Sequence, residues 1–386
     1  LHNWWGNGVY VDYEQGNWSE GLTTFMADYA FKEGSAQDGA RAMRLGWLRD
    51  FSALANEARQ PLRAFRSRTH SASAAVGYGK AAMLFVMLRD QIGEAAFRQG
   101  IRDFWTKNQF RVASWQALQT AFEDASGQNL KTFFAGWLDT SGAPKLAVRD
   151  ARIQATGKRF QLELAIEQQG TPRISRIPIE LSAGNKREIR WISAKTANET
   201  VSVDLDFRPQ SVRLDPDIRL WRQLDAQEMP PILRQWIAAA APRVVVAASG
   251  AAADAAMTLA QRFFEVKPQI LSGAALVSAV THGGPIMIIG TQPEVAASLT
   301  QAGLATQPAE LANRGTAQVW TLLRQTGAPV AVVSADNASA LQALARPLPH
   351  YGSQSWLAFE GSKSVDRGTW PVTGLAVAVK EGTPSR

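Results

Sequence analysis

The spacing of apolar residues changes twice along this chain, and these two changes constrain the fold more than any other feature. Over residues 19–140, apolar side chains recur every three to four positions, as in EGLTTFMADYAF and AAMLFVMLRDQI, which predicts helices. From Lys145 the spacing alternates, as in RFQLELAIE and ETVSVDLDF, which predicts short strands. After Pro230 and Pro231, continuous apolar runs alternate with helical stretches. The sequence therefore predicts a multidomain α+β chain.

The three patterns also predict where the domains begin and end. The predicted segments are a helical module over 1–143, an antiparallel β-sandwich over 144–216, linker helices over 217–241 and an α/β domain of unknown role over 242–386. In the last segment, the runs RVVVAAS, PIMIIG and PVAVVSA predict a largely parallel sheet. In the first segment, Ser19 and Ser114 each precede a helical pattern, and both are predicted to cap a helix.

Composition excludes several classes of function. The chain has 386 residues, of which 46% are hydrophobic, so it can bury the cores of about two or three domains. It contains no cysteine, which excludes disulfides and thiolate metal sites and leaves nitrogen and oxygen as metal ligands. The net charge of +7 is spread along the chain and mixed with acidic residues, so we predict no nucleic-acid partner. No apolar run reaches the roughly 18 residues of a transmembrane span.

The opening stretch, LHNWWGNGVYVDYEQGNWSEGL, has the residues with the clearest chemical meaning. A catalytic zinc ion is commonly held by two imidazoles and one carboxylate, with one position open for water. In the motif H-E-x-x-H the two histidines lie one helical turn apart, and the glutamate between them acts as general base. Leu1 and His2 fit the last two positions of this motif. Glu20, predicted at the start of the next helix, is the candidate carboxylate ligand.

These motifs resemble the zinc signature of the gluzincin aminopeptidases, the family of aminopeptidase N and leukotriene A4 hydrolase. The family pattern is H-E-x-x-H, then W-G-N, then a tryptophan shortly before E-G; here the matching stretches are HNWWGN and NWSEGL, with Ser19 where the family usually has Asn. The 17 residues between His2 and Glu20 are one fewer than in the commonest family pattern. The resemblance covers about residues 1–225. It implies a thermolysin-like catalytic module and a zinc ion bound by His2 and Glu20.

The same resemblance implies that the chain begins inside the H-E-x-x-H motif. The first histidine of the motif and the general-base glutamate would then precede Leu1. We therefore expect this chain by itself to bind zinc weakly and to be inactive, and a chain with an intact motif to recover both properties.

A second segment, VGYGKAAMLFVMLRDQIGEAAFRQGI, resembles the Y-x-K-G segment of the same family and the helix that follows it. The resemblance implies that the Tyr78 hydroxyl donates a hydrogen bond to the oxyanion of the tetrahedral intermediate. Lys80 corresponds to the family lysine, and Ala81 stands where the family usually has glycine. Lys80 is a candidate residue of the substrate cleft; the alternative is that it orients a neighbour or lies in solvent.

A basic stretch, ARQPLRAFRSRTH, lies just before Tyr78. Arg66 and Arg68 are candidate cleft residues that would bind a peptide carboxylate, together with Arg59, Arg63 and His70. The alternative is a solvated basic loop, because charged runs are usually exposed faces.

The aromatic residues of the opening stretch divide into two groups. The residues predicted to anchor helix packing are Trp4, Trp5 and Trp18. The residues predicted to line the cleft are Tyr10, Asp12 and Tyr13.

We therefore predict a zinc metallopeptidase of the aminopeptidase type that acts on peptide substrates. The alternative is a non-catalytic, peptidase-like protein that binds a partner or serves as a scaffold. An intact H-E-x before Leu1, together with loss of activity in a Tyr78→Phe variant, would favour the enzyme. The sequence does not determine the oligomeric state or the side-chain preference. The similarity to bacterial-type members favours the cell envelope or periplasm over the cytoplasm.

Overall fold

The structure is a computed structural model, which describes residues 3–35, 37–69, 71–171, 174–225, 227–322, 324, 326–371 and 375–382. The chain divides into two compact units. The first comprises residues 1–51, 59–228 and 373–386, and the second comprises residues 52–58 and 229–372. The helical module and the β-sandwich therefore share one unit, whereas the sequence predicted two separate domains for them.

The N-terminal part of the first unit is helical, as predicted. Its helices are α1 (Ser19–Thr24), α2 (Ala30–Ser35), α3 (Gln37–Ser52), α4 (Ser71–Ala74), α5 (Ala81–Ile92), α6 (Glu94–Asn108), α7 (Trp115–Ser126) and α8 (Lys131–Leu138). A π-helical turn at Phe25–Tyr29 joins α1 to α2, and another at Ala75–Lys80 joins α4 to α5. Two short strands, β1 (Tyr10–Val11) and β2 (Val112–Ala113), pair in parallel. In the chain, β1 precedes α1 and β2 precedes α7.

Helix α5 is the centre of this module. Its first eight residues, Ala81 to Leu88, are all buried, which explains why AAMLFVML is apolar on every face. Helix α6 instead buries one stripe, and Gly100 on that stripe permits close packing against the ring of Phe122 in α7. Ser114 caps α7, because its side chain accepts a hydrogen bond from the Gln116 amide, so that prediction is confirmed.

The rest of the first unit is a β-sandwich, as the alternating pattern predicted. Its strands are β3 (Lys145–Thr156), β4 (Arg159–Gln169), β5 (Arg176–Ala183), β6 (Lys186–Ser193), β7 (Asn198–Leu205) and β8 (Ser211–Leu214). Strand β4 buries Leu162, Leu164 and Ile166, and β5 buries Ile177, Ile179 and Leu181, so the two sheets enclose an aliphatic core. The strands form two four-stranded sheets.

Each sandwich sheet gains an edge strand from the end of the chain. One segment pairs antiparallel with β8 and another pairs parallel with β3; these are Ala376–Ala378 and Lys380–Glu381. The predicted domain 242–386 is therefore too long. Its last strands complete the sandwich, because an exposed sheet edge offers unpaired backbone groups to any extended segment within reach.

The predicted linker helices over 217–241 are also wrong in part. In the described portion of that segment, the only α-helix is α9 (Arg234–Ile237). Ion pairs instead join Asp215, Arg222 and Glu228, since the buried Arg222 guanidinium donates hydrogen bonds to both carboxylates. These charged contacts hold the non-helical backbone on both sides of Arg222.

The second unit contains a seven-stranded sheet with helices. Its strands are β9 (Arg243–Ala247), β10 (Gln269–Leu271), β11 (Ile286–Thr291), β12 (Ala317–Thr321), β13 (Val330–Ala335), β14 (Trp356–Glu360) and β15 (Lys363–Gly368), in the order β10-β9-β11-β13-β12-β14-β15. Its helices, besides α9, are α10 (Gly250–Phe263), α11 (Leu276–Ala279), α12 (Gln292–Gln301) and α13 (Ala338–Leu344).

Only half of this sheet agrees with the prediction of a largely parallel sheet. The pairs among β10, β9, β11 and β13 are parallel, whereas β12, β14 and β15 are joined by antiparallel pairs. A two-residue hairpin turn connects β14 to β15, and Gly361 in that turn has a φ of 56°. Such a short turn can join only antiparallel neighbours, which makes the sheet mixed.

Candidate metal and catalytic site

Glu20 lies at the beginning of a helix, as the sequence predicted. It is the second residue of α1 and is half-buried. The prediction that Ser19 caps this helix is wrong. The Asn17 side-chain oxygen accepts hydrogen bonds from the Ser19 amide (3.1 Å) and the Ser19 hydroxyl (2.7 Å), so Asn17 provides the cap.

Tyr78 lies in the π-helical turn Ala75–Lys80, between two glycines that each allow close packing. A Cβ atom on Gly77 would overlap the ring of Phe65, and one on Gly79 would lie 3.2 Å from the Trp47 Cβ. The Phe65 ring also packs edge-to-face against Tyr78, with ring centroids 6.2 Å apart. A π-helical turn changes the angular position of the residues within it, and such turns are frequent at functional sites.

The helices carrying Glu20 and Tyr78 approach closely beside these two residues. A Cβ atom on Gly21 would overlap that of Ala81, so the backbones meet where Gly21 follows Glu20 and Ala81 follows the π-helical turn. Here the Tyr78 hydroxyl donates a hydrogen bond to the Glu20 carboxylate. The structure therefore brings together a carboxylate and a phenol that are 58 positions apart in the sequence.

The surroundings of the Tyr78 phenol disfavour its ionisation. Burial is the largest cause, and with the charge and hydrogen bond of Glu20 it raises the pKa of Tyr78 to about 12. The positive charge of Arg68 acts in the opposite direction on the pKa of Tyr78, which places Arg68 within electrostatic range of the hydroxyl. At neutral pH the phenol can therefore act as a hydrogen-bond donor.

The predicted metal ligands are only partly described. His2 lies outside the described residues, and Glu20 is within them. Among the residues the structure describes, there is no group of three or more His, Asp or Glu side chains that could hold a metal ion. Glu20 fits a zinc ion as one oxygen ligand, since carboxylate oxygen is a common zinc donor and its side chain is directed at the catalytic candidate Tyr78.

Lys80 does not line a cleft, so the structure corrects that prediction. Its side chain is 1% exposed, and its ammonium donates a hydrogen bond to the Thr140 carbonyl just after α8. Burial lowers the pKa of Lys80 to about 7, although the charge of Asp139 acts to raise it. Lys80 thus ties the end of the π-helical turn to the end of α8.

Two arginines of the basic stretch before Tyr78, Arg63 and Arg66, contact other parts of the chain. The Arg66 guanidinium donates to the carbonyls of Arg63 (2.6 Å) and Glu14 (3.0 Å), and Arg63 forms an ion pair with Asp139 (2.5 Å). His70 lies outside the described residues. Arg66 and Arg68 are exposed, and their role in binding substrate stays a prediction.

The tryptophans of the opening stretch pack as expected, with one difference. Trp5 and Trp18 are buried, and the Trp18 indole donates to the Ala113 carbonyl (2.7 Å). Trp4 is 49% exposed and packs against Trp105. The side chains predicted to line the cleft, those of Tyr10, Asp12 and Tyr13, reach the surface, and their cleft role stays a prediction.

Sequence reasoning missed two residues beside this site, Asn17 and Phe65. Asn17 lies two positions before α1, one residue outside the usual cap position, so the sequence did not single it out. Phe65 gave no local signal, because its position is defined by contact with Gly77 and Tyr78.

Comparison with known proteins gives a family match for the part of the chain that contains Glu20 and Tyr78. Residues 1–137 match the model of the peptidase family M1 domain. The predicted gluzincin family is thereby confirmed for this part of the chain. No helix in the described ranges is long and apolar enough to cross a bilayer.

Similar proteins include several aminopeptidases. The chain is 22% identical over 222 residues to probable aminopeptidase 1 of Sulfurisphaera tokodaii, covering 55% of this chain and 27% of that protein. It is 29% identical over 161 residues to aminopeptidase N of Caulobacter vibrioides (41% and 18%) and 28% identical over 169 residues to glutamyl aminopeptidase of Sus scrofa (42% and 18%). The crystal structure of Legionella pneumophila aminopeptidase A in complex with aspartic acid aligns with a TM-score of 0.42 and 20% identity, over 61% of this chain and 27% of that one. The chain thus spans about a quarter or less of the length of these relatives.

Proposed function

Residues 1–137 match the peptidase family M1 domain, and from this premise we propose that the protein is a zinc-dependent aminopeptidase that hydrolyses peptide substrates. The observation that carries the proposal is the hydrogen bond between the Tyr78 hydroxyl and the Glu20 carboxylate. This contact unites a candidate metal ligand with a candidate oxyanion donor, the two groups that metal-assisted peptide hydrolysis needs next to each other. The preference for amino-terminal residues rests on the resemblance to aminopeptidases.

We propose that Glu20 and His2 are two of the zinc ligands, and that a histidine and a general-base glutamate of an H-E-x-x-H motif complete the site. When bound, zinc would polarise the scissile carbonyl and lower the pKa of a water molecule. Glu20 would contribute negative charge and a fixed oxygen ligand from the start of α1.

The role proposed for Tyr78 rests on the family resemblance and on its position beside Glu20. A phenol whose pKa is about 12 keeps its proton at neutral pH, so it can donate a hydrogen bond to the oxyanion that forms on the substrate carbonyl. In the resting chain, the hydroxyl donates to Glu20 instead. A turn of the phenol hydroxyl from the carboxylate to the substrate would supply the donor in the transition state.

The test compares two chains, this one and a version that carries His-Glu-x directly before Leu1. We expect the extended chain to bind zinc tightly and hydrolyse aminoacyl substrates, and this chain to do both weakly. In the extended chain, Tyr78→Phe should lower kcat by about 100-fold to 1,000-fold with zinc affinity retained, since it removes one oxyanion donor. Tyr351→Phe, in the second unit, is the matched control and should leave kcat unchanged.

Two results would contradict the proposal. One is hydrolysis by the present chain at the rate of the extended chain, which would mean that H-E-x is not needed. The other is an extended chain that binds zinc without hydrolysing any aminoacyl substrate, which would favour a non-catalytic binding or scaffold protein. Location in the cell envelope or periplasm stays a prediction.

A further inference from the structure

Asn17 connects the helix of Glu20 to a segment far along the chain. Its side-chain oxygen accepts from the Ser19 amide at the start of α1, and its side-chain amide donates to the Arg66 carbonyl (2.9 Å). Its backbone amide donates to the Phe65 carbonyl (2.8 Å). Asn17 is buried, so these hydrogen bonds are shielded from competing water.

The segment held by Asn17 also packs against Tyr78. The Phe65 ring fills the space that Gly77 leaves open and contacts the ring of Tyr78. The segment is fixed by further contacts, because Arg66 bonds the Glu14 carbonyl and Arg63 pairs with Asp139. One short stretch, residues 63–66, is therefore linked to the helix of Glu20 through Asn17 and contacts Tyr78 through Phe65.

We infer that Asn17 is a positioning residue that holds Glu20 and Tyr78 at hydrogen-bonding distance by joining the start of α1 to the Phe65–Arg66 backbone. An asparagine is well suited to this position, because its amide group accepts from the helix and donates to a carbonyl at the same time. Aspartate could accept but not donate, and alanine could do neither. The functional meaning of this role rests on the proposed function, but the geometry can be tested without metal or substrate.

The experiment reads the Glu20–Tyr78 contact directly by NMR at neutral pH, with tyrosine labelled with 13C at Cζ. The chain has five tyrosines, and the Tyr78 resonance is assigned from its absence in Tyr78→Phe. Glu20→Gln exchanges a charged acceptor for a neutral one, so it should shift the Tyr78 resonance in the wild-type background. In the Asn17→Ala and Asn17→Asp backgrounds, the same exchange should shift that resonance by less than half as much.

Asn129 provides a matched control. Its side-chain oxygen accepts from the Lys131 amide (3.0 Å) at the start of α8, which is the same capping contact without a link to residues 65–66. Asn129→Ala should therefore leave the effect of Glu20→Gln on the Tyr78 resonance at its wild-type size. Asn17→Asp retains the acceptor for α1 and so keeps the test usable where Asn17→Ala fails to fold.

Three results would overturn the inference. The first is a shift of the Tyr78 resonance by Glu20→Gln that is as large in the Asn17 variants as in the wild type. The second is a shift that is reduced as much in Asn129→Ala as in the Asn17 variants. The third is no shift by Glu20→Gln in the wild type. Because no metal, substrate or turnover enters this measurement, failure of the proposed hydrolysis would leave its result intact. In the extended chain, Asn17→Asp should lower kcat and leave KM unchanged, as expected of a residue that acts through Tyr78.

Discussion

Replacement of Lys80 by methionine should change the stability of the protein in opposite directions at neutral and at alkaline pH. Lys80 is buried, and burial lowers its pKa from 10.5 to about 7. At about 1.4 kcal/mol for each pKa unit, this difference means that a charged Lys80 costs the folded state at most about 5 kcal/mol. Methionine has a similar length and carries no charge, so it removes that cost.

The sign of the pH dependence follows from proton binding. Between pH 7 and 10.5 the unfolded chain holds the Lys80 proton more tightly than the folded chain does, so the free energy of unfolding rises with pH. The cost is fully present below the folded-state pKa and disappears above the unfolded-state pKa. Methionine also loses the hydrogen bond to the Thr140 carbonyl, which costs about 1–3 kcal/mol at every pH. Lys80→Met should therefore be more stable than the wild type near pH 7 and less stable near pH 10.5.

The assay is urea denaturation followed by tryptophan fluorescence, with wild type and variant compared at several pH values in this range. Lys107→Met is the matched control, because Lys107 is exposed and pairs with Asp124, and the raised pKa of Lys107 predicts no reversal of sign. If Lys80→Met is less stable than the wild type by the same amount at both ends of the range, then burial of charged Lys80 does not destabilise the folded state, contrary to this prediction.

Two further predictions concern packing and buried charge in the first unit. Gly21→Ala should lower the free energy of unfolding by about 1–3 kcal/mol, because the new methyl group overlaps the Ala81 Cβ. Adding Ala81→Gly to this variant should restore part of the lost free energy. Urea denaturation measures both effects. Arg222→Met should cost about 3–5 kcal/mol, because it leaves the buried Asp215 carboxylate without its cation. Equal losses in Arg222→Met and in the exposed control Arg98→Met would contradict the second prediction.

The residues of the candidate site were predictable from the sequence to different degrees. Glu20 and Tyr78 stand in short motifs that resemble a family signature, and their helical context follows from local apolar spacing, so both were candidates before the structure was known. The predicted cleft position of Lys80 was wrong, because its burial depends on the Thr140 carbonyl, which lies 60 positions away. Asn17 was not predicted, because its contact with the Arg66 carbonyl needs the Phe65–Arg66 backbone beside it.

Apolar spacing by itself predicted the helices of residues 19–140 and the strands that follow Lys145, because it records which face of each element is buried. It also indicated the change to strands near Lys145. The tertiary structure alone decided the strand order, the mixed sheet of the second unit and the addition of Ala376–Ala378 to the sandwich. It also decided that Gly21 and Ala81 meet, and so that Glu20 reaches Tyr78. Such contacts join segments far apart in the chain, and they depend on the close fit of two surfaces rather than on the period of either one.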